Sequence, residues 1–201
     1  MKDAIHALKY GRVHTAARGL GRMLAEAIAQ LAAEAPAEML VVPVPLHRSK
    51  YSQRGFNQAR SLATYALQFL HKTHPQWRLK LASTTLMRLR ATESQAGLNP
   101  HQRRLNLRGA FQVSDPAAVA SKHVLIIDDI FTTGATARAA AQTMLKAGAA
   151  SVWVATLARA QRLRQEPRGD FAGRYDKEKN RGAAANLQEA FNFSSQDQSS
   201  F

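Results

Sequence analysis

The run VLIIDDIFTTGAT, Val124 to Thr136, sets two carboxylates between an apolar stretch and a cluster of small and hydroxyl residues. Asp128 and Asp129 are the candidate catalytic pair. Val124 to Ile127 reads as a short, fully buried strand, with the acids at its carboxyl end. Thr132, Thr133, Gly134, Ala135 and Thr136 then make a small-residue turn opening an amphipathic helix that runs to about Lys146. Such a turn presents free backbone N–H groups and the positive end of the helix dipole, which suits a phosphate. Acids beside it can accept hydrogen bonds from sugar hydroxyls, or hold the water shell of Mg²⁺. In an open parallel sheet, ligands bind outside the carboxyl ends of the strands. The pattern therefore implies a site for a phosphorylated sugar, the plainer alternative being an acid pair that caps an ordinary βα turn.

The elements that must position this site alternate along the chain. Leu20, Met23, Leu24, Ala27, Ile28 and Leu31 recur at helical spacing. Met39 to Val44 is the next strand, ended by Pro43 and Pro45, which cannot donate to a central ladder. A helix from Asn57 to about Leu70 turns Leu62, Tyr65, Ala66, Phe69 and Leu70 inward, and Phe111 to Val113 and Ser151 to Leu157 read as further strands. Strands alternating with helices predict an α/β fold, an open parallel sheet with helices on both faces. Residues 1–160 form this domain. Residues 161–201 mix both charges with a Ser/Gln-rich end and are read as a disordered tail, too poor in apolar residues to offset chain entropy, with a docking helix near Ala183 to Phe191 as the alternative.

Composition removes several classes. No apolar run approaches the ~18 residues of a spanning helix, so membrane insertion is not expected. The start lacks the unbroken apolar core of a secretion signal, and Asp3, Glu26, Glu34 and Glu38 argue against a mitochondrial presequence. Cys 0 excludes disulfides and fits a reducing cytoplasm. His71 and His74 form an H-x-x-H, but no cysteine or nearby acid completes a metal site, so the chain's own residues predict neither zinc nor any other directly bound metal.

The Val124–Thr136 run is similar to the signature of type I phosphoribosyltransferases, which bind phosphoribosyl pyrophosphate (PRPP). Joined to VVPVPLHRSKYSQRGFNQAR (Val41 to Arg60), Lys9-Tyr10-Gly11, RATESQAGLNPHQRRLNLRGAF (Arg90 to Phe111) and Leu157-Ala158-Arg159, it resembles the ComF/GntX family over roughly residues 4–160. The resemblance implies that Asp128 and Asp129 take the ribose 2′ and 3′ hydroxyls, and that the turn from Thr132 to Thr136 takes the 5′-phosphate. It further implies Mg²⁺ bound through PRPP and water, and breakage of the C1–pyrophosphate bond through an oxocarbenium-like state. Members commonly begin with a four-cysteine zinc module. This chain starts where that module would end, which implies a short form or a reading frame begun too late.

The net charge of +14 is unevenly placed: residues 41–110 hold 12 Lys and Arg against the single acid Glu93, an excess of +11. The turn after the Val41 strand resembles the family's pyrophosphate loop, which implies Arg48, Lys50 and Arg54 as candidate diphosphate contacts, with Gly55 allowing close backbone approach. Arg90, Gln95, Arg103 and Arg104 lie in a polar segment with Arg88, Asn106 and Arg108, placed to close over PRPP as a flexible loop or to grip a DNA backbone. Tyr51 and Phe56 are the better candidates for stacking on bases. The readings that follow are a phosphoribosyltransferase with an unidentified nitrogenous acceptor, a single-strand DNA-handling protein of the uptake pathway working with competence proteins, and a PRPP-sensing regulator.

Overall fold

Val124, Leu125, Ile126 and Ile127 are each no more than 1% exposed, as a parallel strand covered on both faces requires. They belong to β5, described with the other elements in a computed structural model covering residues 13–90, 107–131, 133–159 and 189–193. β1 (Glu38–Pro43) and β2 (Arg78–Leu81) lie to one side of β5 (His123–Phe131), and β6 (Ser151–Arg159) and β7 (Glu189–Phe193) to the other, in the order β2-β1-β5-β6-β7. The first four are parallel; β7 runs antiparallel to β6. Registers such as Leu40↔Val124 and Val124↔Val152 align the apolar residues of three strands.

One face of the sheet packs against α1 (Val13–Ala29) and α3 (Gln58–Thr73) through Leu20, Leu24, Ile28, Leu62, Ala66 and Leu70. The other face packs against α4 (Ala135–Lys146) through Ala137, Ala140, Ala141 and Met144. A two-stranded antiparallel ribbon, β3 (Leu86–Arg88) with β4 (Phe111–Val113), completes that layer through Leu86, Phe111 and Val113. The expected sheet with helices on both faces is therefore present. Among the described residues, no helix is long and apolar enough to cross a membrane.

Several elements differ from the sequence reading. The basic stretch after β1, expected as a turn, is a short helix, α2 (Arg48–Arg54), that buries none of its residues. Its caps hold it: the His47 ring accepts from the Ser49 N–H at 3.3 Å, and Gly55, at φ 73°, donates its N–H to the Tyr51 carbonyl at 2.7 Å. A helix stabilised by its ends has no apolar period to reveal it. β5 continues through both acids to Phe131, because β6 pairs with it as far as Phe131↔Arg159. Pro43 closes β1 as expected, yet the ladder resumes beyond it, where Val44 donates to Ile127 at 2.8 Å. Residues 189–193, expected within a disordered tail or a docking helix, are instead strand β7, paired from Val152↔Phe193 to Thr156↔Glu189. The free ladder groups of β6 supply what the composition of that segment lacks. Lys9-Tyr10-Gly11 lies outside the described residues.

His71 and His74 are occupied locally. His71 Nε2 lies 3.1 Å from the Leu79 carbonyl; His74 Nδ1 lies 2.9 Å from Thr73 Oγ1, and its ring packs at 5.8 Å on Trp77.

The two glycines of α1 answer to different constraints. A Cβ on Gly21 would collide with the Cβ of Tyr65 on α3, whereas one on Gly19 would meet nothing within 4 Å. In urea denaturation, Gly21→Val should lose about 1–3 kcal/mol from overpacking. Gly19→Ala should gain about 0.5–1 kcal/mol from helix propensity. Equal effects of the two would contradict this helix contact.

Candidate functional site

The chain leaves β1 and β5 in opposite directions. From β1 it passes through α2 and α3 on one face; from β5 it passes through α4 on the other. This divergence opens a crevice at the carboxyl ends of the two strands, the switch point at which open α/β sheets bind ligands. A cavity of about 250 Å³ occupies it, with Val44 and Pro45 from the end of β1, Lys50 and Arg54 from α2, Asp128 and Asp129 from β5, and Thr136 from α4.

Asp128 stands opposite the fully buried Thr156 in the β5–β6 register. Its Oδ1 accepts the Asp129 N–H at 2.9 Å, and Asp129 Oδ1 accepts the Ile130 N–H at 2.8 Å. Burial, followed by the neighbouring charge of Asp129, pushes the Asp128 carboxyl well above the ordinary carboxylate range; the Asp129 N–H and Arg88 offset only part of this. Arg88 responds in the opposite sense. Burial lowers its guanidinium from the ordinary value, while the attraction of Asp128 works to raise it. The β3–β4 ribbon delivers Arg88, whose guanidinium carbon sits 5.6 Å from the centre of the Phe111 ring, its cross-strand partner.

The turn before α4 leaves hydrogen-bond donors unused. Gly134 is its N-cap, at φ 71°, and no side chain caps the helix. A Cβ there would lie 2.5 Å from Phe131 Cζ, so only glycine fits under that ring. The buried Thr133 Oγ1 has no hydrogen-bond partner among the described residues. An uncapped helix start beside an unsatisfied hydroxyl leaves donors for an anion.

Of the residues singled out from the sequence, Lys50, Arg54, Asp128, Asp129 and Thr136 meet in the cavity, with Thr133, Gly134 and Ala135 in the adjoining turn. Arg48 is exposed on α2 and does not line it. Arg90 is also away from it, its Nη2 donating to the Arg108 carbonyl at 2.6 Å. Thr132, Gln95, Arg103 and Arg104 lie outside the described residues. Tyr51, 48% exposed, lines a separate groove of about 330 Å³ with Phe56 and Arg60. The cavity adds Asn57 and Gln58, which sequence reasoning missed, and draws Arg88 from a segment read as loop. The legible hint was Asn57 ahead of an apolar-periodic helix, an N-cap signal.

The sequence profile described as "Phosphoribosyl transferase domain" matches residues 56–186. The chain belongs to that family. Within it, the relatives are of the ComF kind. The DNA utilization protein YhgH of Escherichia coli O157:H7 is 35% identical over 157 residues, covering 77% of this chain and 65% of that protein. Competence protein F of Haemophilus influenzae is 30% identical over 121 residues, 60% of this chain and 50% of that one. Competence protein ComFC of Bacillus subtilis is 35% identical over 121 residues, 60% and 44% of the two chains. The chain thus spans from under half to about two thirds of the length of these relatives. As a ComF-family phosphoribosyltransferase-like protein, it carries its acid pair and cradle inside the matched span, while α2 lies before it.

The raised position of Asp128 has a definite sign. Its folded form holds a proton that the unfolded chain, near the ordinary value of about 4, has already released. Stability therefore falls as pH rises from about 4 through the raised folded value, and levels off above it. In thermal denaturation without ligand, Asp128→Asn should melt higher than wild type at pH 7, with the gap closing below about pH 4. A variant that melts lower at pH 7 would contradict this electrostatic account.

Proposed function

We propose that the chain binds PRPP with Mg²⁺ in the crevice between β1 and β5 and transfers its phosphoribosyl group to a nitrogenous acceptor. The carrying observation is one cavity that holds the acid pair together with Lys50, Arg54 and Arg88, at the uncapped start of α4. Asp128 and Asp129 accept hydrogen bonds from the ribose 2′ and 3′ hydroxyls. The turn from Thr132 to Thr136 holds the 5′-phosphate, with Thr133 Oγ1 as a donor. Lys50 and Arg54 face the diphosphate.

The C1–oxygen bond breaks with oxocarbenium character, and the departing diphosphate gains negative charge. Lys50, Arg54 and Arg88, preorganised around the cavity, stabilise that charge. The residues present fit a hard divalent cation: two adjacent carboxylates, one of them strained by the other's charge. No group of three His, Cys, Asp or Glu exists among the described residues, so water and PRPP oxygens would complete its coordination. When bound, Mg²⁺ supplies Lewis-acid stabilisation of the leaving diphosphate.

The names of the relatives support placing this chemistry in DNA utilisation or competence; a cytoplasmic site of action, with single-stranded DNA and competence proteins as partners, completes the proposal. The excess of +11 over residues 41–110 suits either polyanion.

Calorimetry with Mg²⁺ tests the site. Asp128→Asn/Asp129→Asn should weaken PRPP binding at least about a hundredfold, in line with hydrogen bonds to charged groups. Unchanged affinity would overturn the assignment. Pyrophosphate release from PRPP with a panel of nitrogenous bases tests turnover; tight PRPP binding with no release for any base would favour the sensing role.

A further inference from the structure

Gln58 is 3% exposed, yet its amide nitrogen is buried with no hydrogen-bond partner among the described residues. An unpaired buried donor is costly enough that native proteins rarely keep one without use. Gln58 lines the same cavity as Lys50, Arg54 and the two acids, and neither acid accepts a hydrogen bond from it. Its position is fixed. It is the first residue of α3, and the preceding Asn57 ties the helix start to the end of β1 by donating Nδ2 to the Val44 carbonyl at 3.0 Å.

The start of α3 adds to this donor. The first four N–H groups of a helix have no intrahelical acceptor. Asn57 takes one of them, Arg60, through its side chain at 3.2 Å, while its carbonyl accepts the first intrahelical bond, from the Ser61 N–H at 3.0 Å. The N–H groups of Gln58 and Ala59 remain, and both residues line the cavity. A side-chain amide whose N–H₂ group is left unpaired, at the positive end of a helix and beside two cations, asks for an anionic oxygen.

We infer that Gln58 is a specificity-determining residue whose side-chain amide, with the start of α3, binds the diphosphate and so separates PRPP and pyrophosphate from a plain sugar phosphate. This rests on the PRPP reading of the cavity. The sugar end is held elsewhere, at the acid pair and the start of α4. Loss of the Gln58 donor therefore acts on diphosphate ligands alone.

Calorimetry of wild type and Gln58→Met, a near-isosteric change that removes the donor, reads this out with three probes in Mg²⁺: PRPP, pyrophosphate and ribose 5-phosphate. The variant should bind PRPP and pyrophosphate about tenfold or more weakly and ribose 5-phosphate as wild type does. Its melting temperature without ligand should be unchanged or higher, since an unpaired donor has been removed. Gln58→Glu, which keeps the length but replaces the donor with a negative charge, should lose more diphosphate affinity than Gln58→Met. Wild-type affinity of Gln58→Met for PRPP and pyrophosphate would overturn the inference alone, as would an equal loss for ribose 5-phosphate or a lower melting temperature. Wild-type protein that binds pyrophosphate but neither sugar phosphate would overturn the PRPP reading, leaving the Gln58 contact to be judged on pyrophosphate. Binding of none of the three would overturn both.

Discussion

Two neighbouring carboxyl groups in the central strand of the sheet form an arrangement that folding alone would not favour. The packing around the end of β5 desolvates the Asp128 carboxyl, and Asp129 repels any charge on it. Among the described residues, one backbone N–H and a partly desolvated Arg88 act in the opposite direction. Such an imbalance is typical of a functional site, where the missing partners are those a ligand brings. Sugar hydroxyls donate to carboxylates, and a divalent cation neutralises them; either would relieve the repulsion.

The sheet turns this local tension into a site. Because β1 and β5 send their crossovers to opposite faces, two helices, α3 and α4, begin at the same crevice from different layers. Each brings a positive end and unsatisfied donors: Gln58 at one, the uncapped turn around Gly134 at the other. A ligand that is anionic at both ends and carries hydroxyls between them matches this order of groups. The short helix α2 contributes Lys50 and Arg54 without burying any residue of its own. Its caps therefore matter to the cavity more than its composition does.

Much of the site was legible in one stretch of sequence. Val124 to Ile127, the acids, the small turn and the following helix lie in consecutive order, and each is set by local chemistry. Apolar continuity buries a strand, and glycine alone fits beneath the Phe131 ring at Gly134. The parallel sheet followed from the alternation of apolar segments. Less legible were elements whose stability comes from partners distant in sequence: the extension of β5 past its acids, the edge strand β7, and β3, which pairs with β4. None carries a strong periodic signal, because ladder bonds rather than side-chain faces define them.

The sequence by itself determined which chemistry the chain can hold, since the Asp128–Asp129 pair, the adjoining cradle and the surplus of arginine and lysine are properties of neighbours along the chain. Tertiary structure alone decided which cations and amides reach that chemistry. It brought in Arg88 on a ribbon and Gln58 at a helix start, and it left Arg48 and Arg90 facing elsewhere. The reason is physical. Residue type and spacing fix local conformation and charge, but the side chains that converge on a cavity are set by the packing of layers, whose contacts span most of the chain.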